Sequence, residues 1–302
     1  MSSVNKLKVL IADDDLITRM LLQRNLTAWG YQVHVASDGE QAWDIVNAED
    51  NLRLFIVDWG MPKLDGLEFC RTLKSECDYF LYIIMLTGRS GTDNIVEAMS
   101  GGADDFVTKP FVAEELRVRL QVGERILEQE KKLEFYANRD YLTGAWNRRV
   151  ILNHLREEWE RSVRERTKLS VVIFDLDMFK QINDRYGHQA GDQAISVFCS
   201  IVMGNIRPYD KLGRYGGEEF LLVLPNTHEQ EAVLVAERCC TQVADVNIPL
   251  PGQDTLTVTV SAGVAISDAG NPPMNDLFKN CDKALYQAKN NGRNQVVLYR
   301  QS

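Results

Sequence analysis

Between residues 7 and 120, short and largely apolar runs alternate five times with longer amphipathic stretches. The runs at 9–12, 32–36, 54–57, 82–86 and 106–107 have strand length and no helical stripe. Residues 16–29 instead place apolar side chains at helical spacing and stop at Gly30, where a left-handed backbone costs little. Strands alternating with helices predict an α/β unit: a doubly wound parallel sheet of five strands, covered on both faces and joined by right-handed crossovers. In such sheets the functional crevice lies at the carboxyl ends of the strands, so the residues just after each strand carry the chemistry.

Residues 111–139 change character. They are rich in Glu, Arg, Lys and Leu and contain no proline. Val122, Ile126, Gln129, Leu133 and Tyr136 recur at alternating steps of four and three, the spacing of a heptad seam. A helical linker is expected, and so short a seam fits a paired stalk and a solvated connector equally well. From Asp140 the order of elements differs: helix 149–166, strand 170–174, helix 193–206, a hairpin of 212–215 and 220–224 turning through Gly216-Gly217, helix 229–243, strand 255–265, helix 275–290 and strand 295–299. Antiparallel pairing mixed with helices predicts an α+β unit. The expected division is 5–125, a linker at 111–139, and 140–302.

A length of 302 residues suits two domains at about 150 residues each. With 45% apolar and 25% charged residues the chain is neither disordered nor fibrous. The 43 acidic residues outnumber the 34 basic ones, and a net charge of −9 argues against wrapping duplex nucleic acid or coating an anionic membrane. The longest apolar run, 79–86, is too short to span a bilayer, and Met1-Ser2-Ser3-Val4-Asn5-Lys6 lacks the apolar core of a signal peptide. Cysteines at 70, 77, 199, 239, 240 and 281 form no C-x-x-C pair and no zinc spacing, so reduced thiols in a cytoplasmic protein are the simpler reading.

The first strand runs into Asp13-Asp14-Asp15, the third into Asp58, the fourth into Thr87 and the fifth into Lys109. Carboxylates converging at neighbouring strand ends repel one another unless a cation or proton intervenes, and Mg²⁺ with oxygen ligands is the natural guest. A carboxylate nucleophile, a metal, a hydroxyl and an ammonium are the parts needed to accept and hold a phosphoryl group. Singly, each has a duller explanation: Asp14 or Asp15 could cap the following helix, Thr87 could serve a turn, and Lys109 could be a surface lysine. The four together, in this order, are the signal.

The stretches V-L-I-A-D-D-D, I-V-D-W-G-M-P-K-L-D-G, M-L-T-G and D-D-F-V-T-K-P-F closely resemble the response-regulator receiver domain, of flavodoxin-like fold, over residues 5–125. The resemblance implies that Asp58 is the phosphoacceptor and that Asp13 and Asp14, with the Gly60 carbonyl, complete its Mg²⁺ site. It makes Thr87 and Lys109 the phosphoryl ligands and Phe106 the aromatic switch, and it implies a cognate histidine kinase. Gly88 stands where the family more often has Ala.

In the second half the strand at 170–174 ends in Asp175-Leu176-Asp177, and the hairpin turn reads Gly216-Gly217-Glu218-Glu219. Glycines permit a tight turn and close approach of backbone to phosphate oxygens. A turn carboxylate facing a strand-end carboxylate suits a two-metal site, in which one ion activates a hydroxyl and the other steadies a leaving pyrophosphate. By itself G-G-E-E also fits a solvated hairpin tip. Its surroundings are F-D-L-D-M-F-K-Q-I-N-D-R-Y-G-H-Q-A-G-D, D-Y-L-T-G-A-W-N-R-R and A-L-Y-Q-A-K-N-N-G-R-N. With these the segment 140–302 resembles the GGDEF family of diguanylate cyclases, of palm-like α+β fold, in a G-G-E-E-F spelling.

That resemblance implies an enzyme joining two GTP into cyclic di-GMP and two pyrophosphates. Asp175 and Glu218 would hold Mg²⁺ with the Leu176 carbonyl. Asn183 and Asp192 would read guanine, and Lys180, Lys289 and Arg293 would neutralise the triphosphate. Glu218 would also help deprotonate the ribose 3′-hydroxyl, and Glu219 would contact the nucleotide or orient the turn. Asp177 is left open, a structural role included. Arg207-Pro208-Tyr209-Asp210 sits at the offset of the family's product-inhibition site, and Arg238 matches the arginine a neighbouring domain adds to it. Two GTP must meet, so a homodimer or higher assembly is expected. The alternative is a non-catalytic effector that binds GTP or cyclic di-GMP; the intact turn glycines and acids favour the enzyme. A DNA-binding regulator is disfavoured because no recognition-helix domain follows the receiver-like part.

Overall fold

The computed structural model describes residues 7–77, 79–88, 92–250 and 255–300, with 92–95 described by backbone alone. Two compact units divide between Glu134 and Phe135. The first runs β1 (Lys8–Ala12), α1 (Leu16–Trp29), β2 (Gln32–Ala36), α2 (Gly39–Ala48), β3 (Leu54–Asp58), α3 (Gly66–Glu76), β4 (Tyr82–Thr87), α4 (Thr92–Ser100), β5 (Asp105–Thr108) and α5 (Ala113–Asn138). Its five strands are all parallel, in the order β2-β1-β3-β4-β5. This is the doubly wound, flavodoxin-like sheet expected from the alternation, and its topological switch point lies between β1 and β3.

The strand period of two builds a separate core on each face of this sheet. Leu10, Phe55, Val57, Ile83 and Met85 bury on one side; Val9, Ile11, Leu54, Ile56 and Ile84 bury on the other. Gly30 ends α1 with φ 98°, in the left-handed region anticipated for it. The α5 seam differs from expectation. Leu116, Leu120, Gly123 and Leu127 are the buried residues, and Ile126 packs partly onto the same core. A Cβ on Gly123 would lie 2.5 Å from the Tyr82 ring, so the first half of the helix is bound to the sheet. Of the anticipated seam, Gln129, Leu133 and Tyr136 remain exposed, the two apolar ones at 60% and 64%.

The second unit runs α6 (Arg148–Glu165), β6 (Lys168–Leu176), α7 (Phe179–Tyr186), α8 (His188–Asn205), β7 (Lys211–Arg214), β8 (Glu219–Pro225), α9 (Glu229–Asp245), β9 (Ile248–Pro249), β10 (Thr255–Leu256), β11 (Val260–Asp268), α10 (Met274–Asn290) and β12 (Val296–Leu298). Its main sheet has the order β12-β11-β6-β8-β7, antiparallel except for the β11–β12 pair. Inward-facing Phe174 and Phe220 both contact Phe198 of α8, with ring centroids 5.5 and 4.8 Å apart. Each such buried ring stabilises the unit by roughly 1.5–3 kcal/mol. The helix α7 was not anticipated: it is only eight residues long, and its apolar face is just Phe179, Ile182 and Tyr186, of which Ile182 alone is buried. The strand expected at 255–265 is two elements, because Thr255–Leu256 pairs with Ile248–Pro249 in a separate ribbon and β11 begins at Val260. Among the described residues no helix is long and apolar enough to cross a membrane.

Candidate functional site

The strand ends of the first unit bring the anticipated acids together. Carboxylate oxygens of Asp13, Asp14 and Asp58 lie within 4.8 Å of one another, with Asp13 and Asp58 buried and Asp14 exposed. Lys109 Nζ sits between the buried pair, 2.7 Å from Asp13 Oδ2 and 2.5 Å from Asp58 Oδ1. Burial opposes the ammonium, but its bonds to both carboxylates outweigh that and raise its pKa. Burial likewise raises the Asp13 carboxyl, against the pull of Lys109. Asp15 turns out to be the helix cap: its Oδ2 accepts from the Thr18 N–H at 2.8 Å, which leaves Asp14 to the crevice. Thr87 is buried at the end of β4, and Phe106 is half-buried on β5 beneath the Arg119 guanidinium, 6.0 Å from its ring. Gly60 lies beside the acids: a Cβ built on it would stand 4.0 Å from Asp58 Oδ2. Three oxygen-bearing acids around an open-sided crevice fit a hard divalent ion.

In the second unit β6 places Asp175 directly across from Glu219 of β8. The Leu176 N–H donates to the Glu218 carbonyl at 3.3 Å, so the strand end and the hairpin are joined at the turn. Asp175 is buried and paired with Lys289 Nζ of α10 at 2.8 Å. Burial raises its carboxyl pKa; the Lys289 bond lowers it, and the nearby charges of Glu218 and Glu219 raise it again. The charges of Glu218 and Glu219 act on Asp175, so acidic oxygens gather at this strand end, the donor chemistry that a hard divalent ion takes. Among the described residues, only the Asp13–Asp14–Asp58 group brings three acids within 4.8 Å.

The turn glycines do their work without a left-handed backbone. Neither Gly216 nor Gly217 has a positive φ. A Cβ on Gly217 would meet nothing within 4 Å, so its value is an unshielded backbone that a phosphate can approach, not a left-handed turn.

The anticipated guanine-reading residues lie close together. On α7, Asn183 stands over Gly191 of α8, where a Cβ would fall 2.0 Å from Asn183 Oδ1, and Asp192 follows, exposed. Asn183 Oδ1 is buried with no hydrogen-bond partner among the described residues. An orphaned acceptor beside an exposed carboxylate suits a ligand edge that donates. Lys180 is exposed at the start of α7, and Arg293 is exposed after α10 with φ 64°.

Two constellations had no local signal. Arg214, at the end of β7, donates from Nε and Nη2 to the Gly217 carbonyl at 3.1 and 2.7 Å. Its Nη1 reaches both Asp140 oxygens at 3.1 Å. Asp177 accepts from Ser261 Oγ at 2.7 Å, Thr259 Oγ1 at 2.8 Å and the Asn294 N–H at 3.0 Å.

The third anticipated site lies between α8 and β7. The Arg207 N–H donates to Asp210 Oδ2 at 2.8 Å, while Asp210 Oδ1 is buried without a partner among the described residues. The Arg207 guanidinium lies 5.9 Å from the Tyr209 ring. Arg238 of α9 donates to the Asn205 carbonyl at 2.7 Å, and Asn205 lies two residues before Arg207 in the chain.

Comparison with known proteins agrees with this arrangement. The family description "Response regulator receiver domain" matches residues 9–121, and "Diguanylate cyclase, GGDEF domain" matches 137–295. The chain is 30% identical to response regulator PleD of Caulobacter vibrioides over 304 aligned residues, 96% of this chain and 65% of that one. It is 37% identical to a diguanylate cyclase of Vibrio cholerae, over 59% of this chain and 54% of its relative. The chain thus spans between about half and 65% of these curated relatives. Among solved structures, the coiled coil and GGDEF domain of DgcB from Caulobacter crescentus, in complex with c-di-GMP, matches with TM-score 0.56 and 27% identity, covering 62% of this chain and all of that one. Diguanylate cyclase SiaD of Pseudomonas aeruginosa, solved with its activator SiaC, matches with TM-score 0.53 and 36% identity over 61% of this chain and 70% of that one. With the glycine hairpin and the acidic receiver crevice both in place, the chain belongs to the diguanylate cyclase GGDEF-domain family and carries a response-regulator receiver domain ahead of it.

Proposed function

We propose that this protein is a phosphorylation-regulated diguanylate cyclase that converts two GTP to cyclic di-GMP and two pyrophosphates. The observation that carries the reading is the cross-strand placement of Asp175 against Glu219, with Lys289 on Asp175 and the open backbone of Gly217 alongside. Asp175, Glu218 and the Leu176 carbonyl would hold Mg²⁺, which supplies charge stabilisation at the reacting phosphate. Glu218 takes the proton from the ribose 3′-hydroxyl of one GTP, whose oxygen attacks the α-phosphorus of the other, and pyrophosphate leaves. Repetition in the opposite sense closes the ring. Lys180, Lys289 and Arg293 balance the triphosphate charge, Asn183 and Asp192 select guanine, and Glu219 contacts the nucleotide or orients the turn. Each chain has one such turn, so the reaction needs two copies face to face.

Control comes from the receiver, residues 5–125, through the linker at 111–139 to the cyclase at 140–302. A histidine kinase phosphorylates Asp58; Asp13, Asp14 and the Gly60 carbonyl would hold Mg²⁺, Thr87 and Lys109 bind the new phosphoryl oxygens, and Phe106 follows Thr87 inward. Cyclic di-GMP feeds back at Arg207 and Asp210, with Arg238 supplied by a neighbouring copy. The test is incubation with GTP and Mg²⁺, with and without acetyl phosphate, followed by chromatography. Cyclic di-GMP formed faster with acetyl phosphate supports the reading. Bound GTP without any product favours the effector alternative.

A further inference from the structure

The second acid of the Asp175-Leu176-Asp177 motif lies within two residues of the catalytic carboxylate but makes contacts of a different kind. Asp175 is paired with Lys289, a cation that this reading assigns to the triphosphate. Asp177 is only 5% exposed and meets three donors: the hydroxyls of Thr259 and Ser261 and the backbone N–H of Asn294. Its own N–H donates to the Thr259 carbonyl at 2.9 Å, which ties the residue to the entry of β11 on both sides of its Cα.

The Asn294 contact has a particular meaning because of the backbone it holds. Gly292, Arg293 and Asn294 have φ values of 115°, 64° and 46°, three successive left-handed residues, of which only the first is glycine. Asn enters that region comparatively readily, but Arg does so at a cost that the surroundings must offset. Two bonds do so here: Arg293 N–H to the Ala288 carbonyl at 3.0 Å, and Asn294 N–H to Asp177 Oδ2 at 3.0 Å. Arg293 lies immediately before the anchored amide and is exposed. Ser261 and Thr259 restrain the same carboxylate, so the anchor is held independently of the turn.

We infer that Asp177 is a positioning residue for Arg293: its buried carboxylate pins the left-handed turn after α10 and so aims that guanidinium at the GTP phosphates. This rests on the proposed cyclase reading and divides the motif between two cations, with Asp175 set against Lys289 and Asp177 against the Arg293 turn. A role confined to folding would weaken every ligand alike or none. A positioning role weakens only ligands bearing the phosphates that Arg293 touches.

The test compares binding of a non-hydrolysable GTP analogue and of GMP to the full chain, by calorimetry, for wild type, Asp177→Asn, Arg293→Ala and the double variant. Asp177→Asn should bind the GTP analogue about tenfold more weakly, the equivalent of one charge-assisted hydrogen bond, with GMP affinity unchanged. The double variant should be no weaker than Arg293→Ala alone. Equal losses for both ligands, or additive losses in the double variant, overturn the inference. Should Asp177→Asn fail to fold, Thr259→Val removes one restraint on the carboxylate and must show the same selectivity for the triphosphate on a smaller scale. Failure of the wild type to bind the GTP analogue would instead overturn the cyclase reading.

Discussion

Arg214 and Asp140 stand 74 residues apart in sequence, yet one guanidinium holds the Asp140 carboxylate with one nitrogen and the hairpin-turn carbonyl of Gly217 with the other two. Both side chains are less than a fifth exposed. Asp140 also accepts from the N–H and hydroxyl of Thr143 at 3.0 and 2.7 Å, so the start of the cyclase unit and the tip of its hairpin share one joint. Lysine keeps the charge but cannot serve both partners in this forked geometry. Arg214→Lys should destabilise the unit by about 1.5–3 kcal/mol and lower turnover about tenfold. Thermal unfolding and a product assay on the same preparation would check this, and wild-type turnover would disconnect the turn from Arg214.

Glu218→Gln removes a carboxylate from the reacting phosphate while conserving shape. Removing one electrostatic stabiliser of a transition state costs roughly 10²–10³ in rate, and Glu218 would act in that way through the Mg²⁺ it holds. Synthesis should fall below detection with an unchanged unfolding temperature. A variant that still made cyclic di-GMP at the wild-type rate would remove Glu218 from the site.

Asp210 predicts a pH dependence. Its carboxyl is raised above the usual value chiefly by burial, against the Arg207 N–H bond and the charges of Arg207 and Lys211. A folded pKa above the unfolded one means that the native state holds the proton more tightly. The stabilising contribution is therefore complete below the unfolded value of 3.8 and is lost as pH rises through the raised one. Asp210→Asn, neutral throughout, should be more stable than wild type at pH 7, with the difference vanishing on acidification; urea titrations at several pH values would show it. The same variant, like Arg207→Ala, should raise the cyclic di-GMP concentration needed for inhibition, and unchanged calorimetric affinity would count against the site.

Phosphorylation should act through assembly. Leu133 and Tyr136 are exposed beyond the part of α5 bound to the receiver sheet, so they are the apolar seam residues left for a second copy. Beryllofluoride, a phosphoryl mimic, should shift the protein toward dimers and raise activity, and Asp58→Ala should lose both responses. Light scattering with a turnover assay would decide. Activation without a change in assembly or subunit arrangement would sink the dimer switch and spare the cyclase assignment.

What could be read in the sequence was what depends on neighbours along the chain. The end of α1 at Gly30, the strand-end acids and the hairpin around Gly216-Gly217 all follow from local period and turn chemistry. The α5 seam was displaced because Gly123 packs on Tyr82, and a burial face that favours Leu127 over Gln129 depends on a strand 41 residues earlier. Asp14 and Asp15 were interchangeable as caps until Thr18 was seen to bond Asp15. Asp177 offered no local hint, since its partners lie 82 to 117 residues downstream.

The peptide of Trp146 donates to Leu212 and accepts from Arg214, at 3.0 and 2.8 Å, laying a single residue along the outer rim of β7. β7 is the last strand of its sheet, and such a rim, with N–H and C=O groups facing outward, invites pairing with any extended chain. Trp146 acts as a selvedge. It occupies the bonding groups that a stray strand would seek, and it does so with a residue anchored by Arg139, whose guanidinium lies 3.4 Å from the centre of the indole ring. A fragment cut to begin at α6 would keep every strand of the sheet and lose its hem, and such fragments should stick to one another through β7 although each is folded.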